Sequence, residues 1–180
     1  MEIRDRKTLY QGLVVDLEQM EVKIGDKGWH VFQIVRHPGG VGVLPLHDDG
    51  MVTLIRQLRP AVNQWMLEIP AGRLDPGEDP AACGERELLE ETGLVAKKLE
   101  SLGLMYSSPG VFDEAIHLCL ATGLVQKEAE PEHYEDIETV RMPLKDALRM
   151  AARGEIPDGK TSLALFRAAH RKQTVNLFAE

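Results

Sequence analysis

The sequence predicts a single α/β domain in which helices cover both faces of a sheet. Its 180 residues fit one core, which would bury about 70% of the surface of the unfolded chain. Short segments with alternating polarity predict strands, and longer segments with helical periodicity follow them. This mixture of strands and helices favours an α/β/α sandwich.

The strand patterns dominate the first half of the chain. Apolar and polar residues alternate over residues 9–36, and the glycine-flanked turn at 25–28 divides this stretch, which predicts an N-terminal β-hairpin. The sequence His-Pro-Gly-Gly at 37–40 then breaks the chain. Further strands are predicted over residues 41–46, 51–58, 65–69, 99–106, 115–121 and 137–142.

Three helices are predicted, and the first has marked ends. Asp79 is a good N-cap followed by proline, and Gly93 has the character of a C′ residue, so this helix should cover residues 80–92. A second helix should begin with Pro143 and end near residue 154. Apolar spacing predicts a third over residues 161–171.

Composition limits the possible functions and locations. A formal net charge of −8 argues against a nucleic-acid partner, which would require a basic surface. The sequence has no apolar run near the roughly 18 residues that span a bilayer, so no membrane partner is expected. The charged N-terminus lacks the apolar stretch of a secretory signal, which predicts a cytoplasmic protein.

Cys83 and Cys119 lack metal-type spacing and are expected to be buried thiols.

Nine residues follow the pattern G-x5-E-x7-R-E-U-x-E-E-x-G-U, where U is apolar. They are Gly72, Glu78, Arg86, Glu87, Leu88, Glu90, Glu91, Gly93 and Leu94. On the predicted helix the last three glutamates share one face, where each like-charged pair costs roughly 0.2–0.5 kcal/mol. A divalent cation would reverse this repulsion, and oxygen ligands suit Mg²⁺ or Mn²⁺. An ordinary solvated acidic helix end would explain the sequence Glu-Glu-Thr-Gly at 90–93 by itself. It would not explain why the loop at 72–77 also precedes the helix, as the pattern requires.

These nine residues resemble the Nudix box at every fixed position. The segment Ser-Pro-Gly-Val-Phe-Asp-Glu at 108–114 is similar to the S-P-G-x-x-x-E segment of ADP-ribose pyrophosphatases, and Pro109 follows Gly93 at the offset typical of that subgroup. The resemblance implies a Nudix-type α/β/α sandwich with a mixed sheet. It also implies an N-terminal β extension at residues 1–38, used for dimerisation, and a Nudix hydrolase domain at residues 39–180.

The resemblance also implies metal-binding roles. Glu87 and Glu91 would ligate Mg²⁺, with Mn²⁺ as a possible substitute, and Glu90 would ligate a further ion and so take part in catalysis. The backbone carbonyl of Ala71 would complete one coordination sphere. Arg86 would act as a clamp that orients one of the carboxylates.

Substrate contacts are implied for five residues. Arg59 would hold a phosphate with its bidentate fork, and Arg56 is a second, weaker candidate for the same role. Glu114 would accept hydrogen bonds from a ribose, and Glu78 would lie near the metals. Trp29 would stack on an adenine, although packing in the core would equally explain an aromatic residue at this strand position.

The base that activates the attacking water is expected in the acidic stretch at residues 128–138. Glu135 matches the position of the base in similar enzymes best, and Glu132 is the alternative. The neighbouring His133 departs from the acidic residues common there in relatives. A solvated acidic loop without a catalytic role is the third interpretation.

The resemblance therefore implies Mg²⁺-dependent hydrolysis of ADP-ribose, a small nucleotide-sugar, to AMP and ribose 5-phosphate by a homodimer. A pyrophosphatase acting on GDP-mannose or another NDP-sugar is the alternative. A third interpretation is an ADP-ribose-sensing Nudix module without catalysis. Such modules are expected to have lost box carboxylates, which this chain retains.

The choice between Glu135 and Glu132 is open to a direct test. If Glu135 is the base, Glu135→Gln should lower kcat for ADP-ribose by roughly 10²–10⁴, the usual contribution of a general base, with little change in substrate binding. Glu132→Gln is the matched control and should be mild. A larger loss in the control would move the base three residues upstream, and two mild variants would leave the loop without a catalytic role.

Overall fold

The computed structural model describes residues 1–128 and 136–171. Ten strands, one 3-10 turn at Gly25–Lys27 and three helices lie in these ranges. The strands are β1 (Ile3–Gln11), β2 (Asp16–Lys23), β3 (Trp29–Arg36), β4 (Gly40–Pro45), β5 (Met51–Arg59), β6 (Gln64–Glu68), β7 (Ala71–Arg73), β8 (Leu94–Tyr106), β9 (Ala115–Gln126) and β10 (Ile137–Pro143). The helices are α1 (Pro80–Thr92), α2 (Leu144–Ala152) and α3 (Gly159–Arg171).

The centre of the molecule is a mixed four-stranded sheet in the order β7-β4-β9-β8. β4 and β9 are parallel, and the other pairs are antiparallel. β4 is buried along its whole length because both of its faces are covered. Val41 and Val43 join the core beneath α1, whereas Leu44 belongs to the core that contains α2 and α3. The predicted sandwich of helices around a mixed sheet is confirmed.

A second sheet, β10-β5-β6, is fully antiparallel. It contributes Val52 and Leu54 of β5 to the same core as Leu44. β6 leads through Ile69 into β7, so the segment just before the box glycine runs from one sheet into the other.

Helix α1 has the predicted bounds because its ends are fixed by local chemistry. The carboxylate of Asp79 accepts hydrogen bonds from the N–H groups of Ala81 at 2.9 Å and Ala82 at 3.3 Å, as an N-cap should. Gly93 ends the helix with φ of 69°, a left-handed conformation that glycine adopts without steric cost. Because both ends of the helix are fixed, the box glutamates have defined positions along it.

The N-terminal extension has three strands, in the order β1-β2-β3. The predicted hairpin corresponds to β2 and β3, which pair antiparallel around the turn at Gly25–Lys27. The prediction omitted β1, which is exposed at every position and so lacks the alternating polarity on which the prediction relied. Ion pairs attach it to the neighbouring strand, including Arg4 with Glu21 at 2.6 Å.

The extension contacts the rest of the chain through the segment at 108–114. The N–H of Val35 donates to the carbonyl of Val111 at 2.8 Å, and the N–H of Asp113 donates to the carbonyl of Val35 at 3.1 Å. The Asp113 carboxylate also accepts a bond from Arg36 at 2.9 Å. The end of β3 therefore holds this segment in place. The division of the chain at residue 38 stays a prediction.

None of the helices in the described ranges has the length and apolar character that a bilayer-spanning helix needs.

Candidate active site

Arg86 is the centre of the box. Its Nε and Nη2 donate to the two carboxylate oxygens of Glu78, each at 3.0 Å. Its Nη1 donates to Glu87 at 2.7 Å and to Glu90 at 3.1 Å, and Nη2 also reaches the carbonyl of Arg73 at 3.3 Å. The sequence predicted a clamp on one carboxylate, whereas the structure has one guanidinium on three carboxylates from a loop and a helix.

These bonds set the charge state of the groups around Arg86. The bond from Arg86, followed by one from the Asp75 N–H, lowers the pKa of Glu78 to about 2, so this carboxylate is ionised across the physiological range. The Glu78 bond also raises the pKa of Arg86. Burial raises the pKa of the nearby Cys83 thiol to about 12, so it stays protonated. Both cysteines are buried and free, as the sequence predicted.

The backbone of β7 lies directly against the helix carboxylates. A Cβ atom on Gly72 would lie 1.8 Å from Oε1 of Glu87, so only glycine leaves room for this carboxylate. Glu91 is 3% exposed, and its Oε2 accepts a bond from the N–H of Ala71 at 2.9 Å. The structure therefore brings together all four predicted metal-binding residues: Ala71, Glu87, Glu90 and Glu91.

The chemistry of this group fits a hard divalent cation. Every donor is a carboxylate or backbone oxygen, the type that Mg²⁺ and Mn²⁺ prefer. In residues 1–128 and 136–171, no three acidic, histidine or cysteine side chains form a ready-made metal site. Arg86 is bonded to both Glu87 and Glu90, and Glu91 is bonded to the backbone. These internal partners therefore hold the carboxylates in position in the absence of a metal.

Two adjoining cavities, of about 410 Å³ and 400 Å³, lie beside this group. Such volumes are typical of small-molecule sites. The first cavity contains Glu114 and Lys160, and the second contains Glu87 and Glu90. The residues shared by both linings are His37, Arg59, Ala71, Gly72 and Arg73.

Arg59 belongs to a buried charge network that the sequence analysis missed. Its fork donates to both oxygens of Glu68, each at 2.8 Å, and Glu68 is only 1% exposed. Lys160 also bonds to Glu68 and lies 3.2 Å from Asp158. Burial alone would raise the pKa of Glu68, but the bond from Arg59 and the charge of Lys160 outweigh it, so the pKa is lowered. Two of the cationic residues that line the first cavity, Arg59 and Lys160, are therefore held by one buried carboxylate.

Two sequence signals pointed to this network. Glu68 is a charged residue in an otherwise apolar strand pattern, and buried charges are normally paired. Lys160 lies in the first turn of α3, where the helix dipole disfavours a cation. Each signal calls for a partner, but neither identifies it, because the two residues are 92 positions apart.

Two residues predicted to bind substrate, Arg56 and Trp29, make their side-chain contacts away from the two cavities. Arg56 bonds to Glu138 at 3.3 Å and lies over the ring of Trp65. Trp29 lies beneath the guanidinium of Arg4, 4.1 Å from the ring centre. Their substrate roles stay predictions. The candidate bases Glu132 and Glu135 lie outside the described residues.

Comparisons with known proteins give the family of this chain. The sequence profile of the NUDIX domain matches residues 36–165, which includes the box and both cavities' shared residues. The chain belongs to the Nudix family. This membership confirms the resemblance drawn from the nine box residues. Nudix ADP-ribose pyrophosphatases generally use a divalent metal ion.

Similar Nudix proteins are close in length to this chain. An ADP-ribose pyrophosphatase of Bacillus subtilis (strain 168) is 38% identical over 162 residues, covering 89% of this chain and 88% of that protein. A GDP-mannose pyrophosphatase of Citrobacter koseri is 33% identical over 173 residues, covering 91% of this chain and 88% of that protein. The solved structure of an ADP compounds hydrolase has a TM-score of 0.83 at 22% identity and covers 96% of this chain and 94% of that one, which confirms the fold.

The contact between Gly72 and Glu87 generates a prediction. Gly72→Ala should lower kcat by a factor on the order of 10², because Glu87 must move by more than an ångström and misplacement of that size has a cost of this order. Gly84→Ala is the matched control, since its Cβ would meet Val41 at 3.1 Å and Val43 at 3.2 Å in the core.

Steady-state kinetics and thermal unfolding of both variants separate the two effects. The Gly84 variant should lose stability and keep its kcat, whereas the Gly72 variant should lose kcat. Equal kcat for wild type and Gly72→Ala would show that the position of Glu87 is unimportant for turnover.

Proposed function

We propose that the protein hydrolyses the diphosphate bond of ADP-ribose in a Mg²⁺-dependent reaction that gives AMP and ribose 5-phosphate. The observation that carries this proposal is the pair of adjoining cavities. One is lined by Glu87 and Glu90, and the other is lined by Glu114, so a diphosphate and the ribose next to it would each meet residues predicted for them.

The metal would be held by Glu87, Glu90, Glu91 and the carbonyl of Ala71. When bound, the ion neutralises charge on the diphosphate and lowers the pKa of water. Mn²⁺ is the expected substitute, because it accepts the same oxygen ligands. Arg86 keeps Glu87 and Glu90 in place through bonds of 2.7 Å and 3.1 Å.

The chemical step is the attack of a water oxygen on one phosphorus atom. The bond between that phosphorus and the bridging oxygen breaks, and the bridging oxygen leaves with the other phosphate. The proton of the attacking water passes to a carboxylate base, for which we propose Glu135. Positioning and charge stabilisation supply most of the catalysis in phosphoryl transfer, and these are the tasks of the residues around the cavities.

The cationic side chains on the cavity wall include those of Arg59 and Lys160. Arg59 uses Nε and Nη2 on Glu68, which leaves Nη1 for a phosphate oxygen. Glu114, on the wall of the same cavity, would accept hydrogen bonds from the ribose hydroxyls. Arg56 and Trp29 keep their proposed roles in phosphate and adenine binding, in which Trp29 would act on the site of a partner subunit.

Hydrolysis of GDP-mannose is the second candidate function. The similarity to a GDP-mannose pyrophosphatase over 91% of this chain favours it, and the reaction would use the same diphosphate site. A non-catalytic ADP-ribose-sensing role is disfavoured because all the box carboxylates are present. We further propose that the protein is a cytoplasmic homodimer joined through its N-terminal strands.

A substrate panel tests this proposal. With excess Mg²⁺, kcat/KM for ADP-ribose should exceed the values for GDP-mannose, NADH, diadenosine polyphosphates and nucleoside triphosphates, because residues 108–114 match the ADP-ribose subgroup. Glu87→Gln should lower kcat on the order of 10² or more, which assigns the activity to this site. A higher kcat/KM for GDP-mannose would contradict the substrate assignment and leave the diphosphate chemistry intact.

A further inference from the structure

His37 lines both cavities and lies just after β3, where the extension meets the remainder of the chain. Its side chain is 11% exposed. The ring packs edge-on against Phe112, with centroids 5.4 Å apart. The backbone N–H of His37 donates to Asp113 at 2.8 Å. These contacts hold an imidazole in a fixed position at the junction of the cavities.

The backbone also fixes the tautomer of this ring. The N–H of Gly39 donates to Nδ1 of His37 at 3.0 Å. A ring nitrogen that accepts a hydrogen bond carries no proton, so the proton of the neutral imidazole is on Nε2. Oε1 of Glu114 is 3.7 Å from the same Nδ1, which is too long for a hydrogen bond.

The Nε2–H group is a donor without a hydrogen-bond acceptor among the described residues. The hydrogen bonds of His37 use its backbone N–H and its Nδ1. An unpartnered N–H donor on a side chain that lines both cavities is suited to an acceptor on a ligand.

We propose that Nε2–H of His37 donates a hydrogen bond to a diphosphate oxygen of the substrate. The inference rests on the proposed function only in requiring a diphosphate. A substrate that places its diphosphate at Glu87 and its ribose at Glu114 would extend along the wall that the two cavities share, and His37 is one of the five residues on that wall. A neutral donor adds a directed bond there without adding to the positive charge of Arg59, Arg73 and Lys160.

Two replacements of His37 separate the two ring nitrogens. Asparagine places an amide near Nδ1, so His37→Asn keeps an acceptor for the Gly39 N–H but removes the donor. Glutamine is longer and places an amide N–H near Nε2, so His37→Gln keeps the donor. His30→Asn is the matched control, because His30 is an exposed histidine on β3 whose Nε2 lies near the carbonyl of Lys27.

The measurement is the Kd for a methylene-bridged analogue of ADP-ribose, which cannot be hydrolysed, by titration calorimetry in the presence of Mg²⁺. We expect His37→Asn to raise the Kd at least tenfold, in line with the loss of one hydrogen bond to a charged group. His37→Gln should stay within about threefold of wild type, and His30→Asn should match wild type. A Kd unchanged in His37→Asn would overturn the inference.

Two further measurements keep the result interpretable. A ¹H–¹⁵N NMR spectrum of the wild-type imidazoles should show His37 protonated on Nε2, and a proton on Nδ1 would overturn the inference even if a variant failed to fold. Hydrolysis by the wild type tests the proposed function separately. If the wild type prefers GDP-mannose, the same titrations with the methylene-bridged analogue of GDP-mannose test His37, because both substrates present their diphosphate to the same site.

Discussion

The guanidinium of Arg86 joins the two halves of the box. It connects Glu78 in the loop with Glu87 and Glu90 on the helix, and charge-assisted bonds of this kind are stronger than neutral ones. Without such a cation, the carboxylates on one helix face would repel each other. The box can therefore fold with its acidic groups near one another before a divalent cation binds.

The same principle operates on the other side of the cavities. Glu68 is almost completely buried and is bonded to Arg59 and Lys160. A buried charge is tolerated only with partners of opposite sign, so removal of either cation would leave the carboxylate poorly compensated. Glu68 also holds Arg59 and Lys160 at the wall of the cavity that is proposed to receive an anionic substrate. The N-terminal extension adds a third support, because the end of β3 holds residues 108–114 and with them Glu114.

The sequence was informative where structure depends on local chemistry. Asp79 and Gly93 fixed both ends of α1, because N-caps and C′ glycines act within a few residues. The spacing of the box glutamates predicted the carboxylate cluster, because residues three and four positions apart share one face of a helix. Strand β1 was missed because it is exposed along its whole length and is attached by ion pairs instead of an apolar face. The pairing of Glu68 with Lys160 was not accessible, since only the complete fold brings β6 beside the start of α3.

We propose that the geometry of Arg86, and not its charge alone, prepares the box for a metal ion. Arg86→Lys separates the two properties, because lysine keeps the charge but lacks the planar fork that reaches three carboxylates. The measurement is Mn²⁺ binding followed by the EPR signal of the free ion, with Arg149→Lys on the surface of α2 as the control. Arg86→Lys should weaken Mn²⁺ binding by about 10–100-fold, the usual effect of removing a residue that supports metal ligands, and the control should bind like wild type. An unchanged Mn²⁺ affinity in Arg86→Lys would show that the positive charge alone is sufficient.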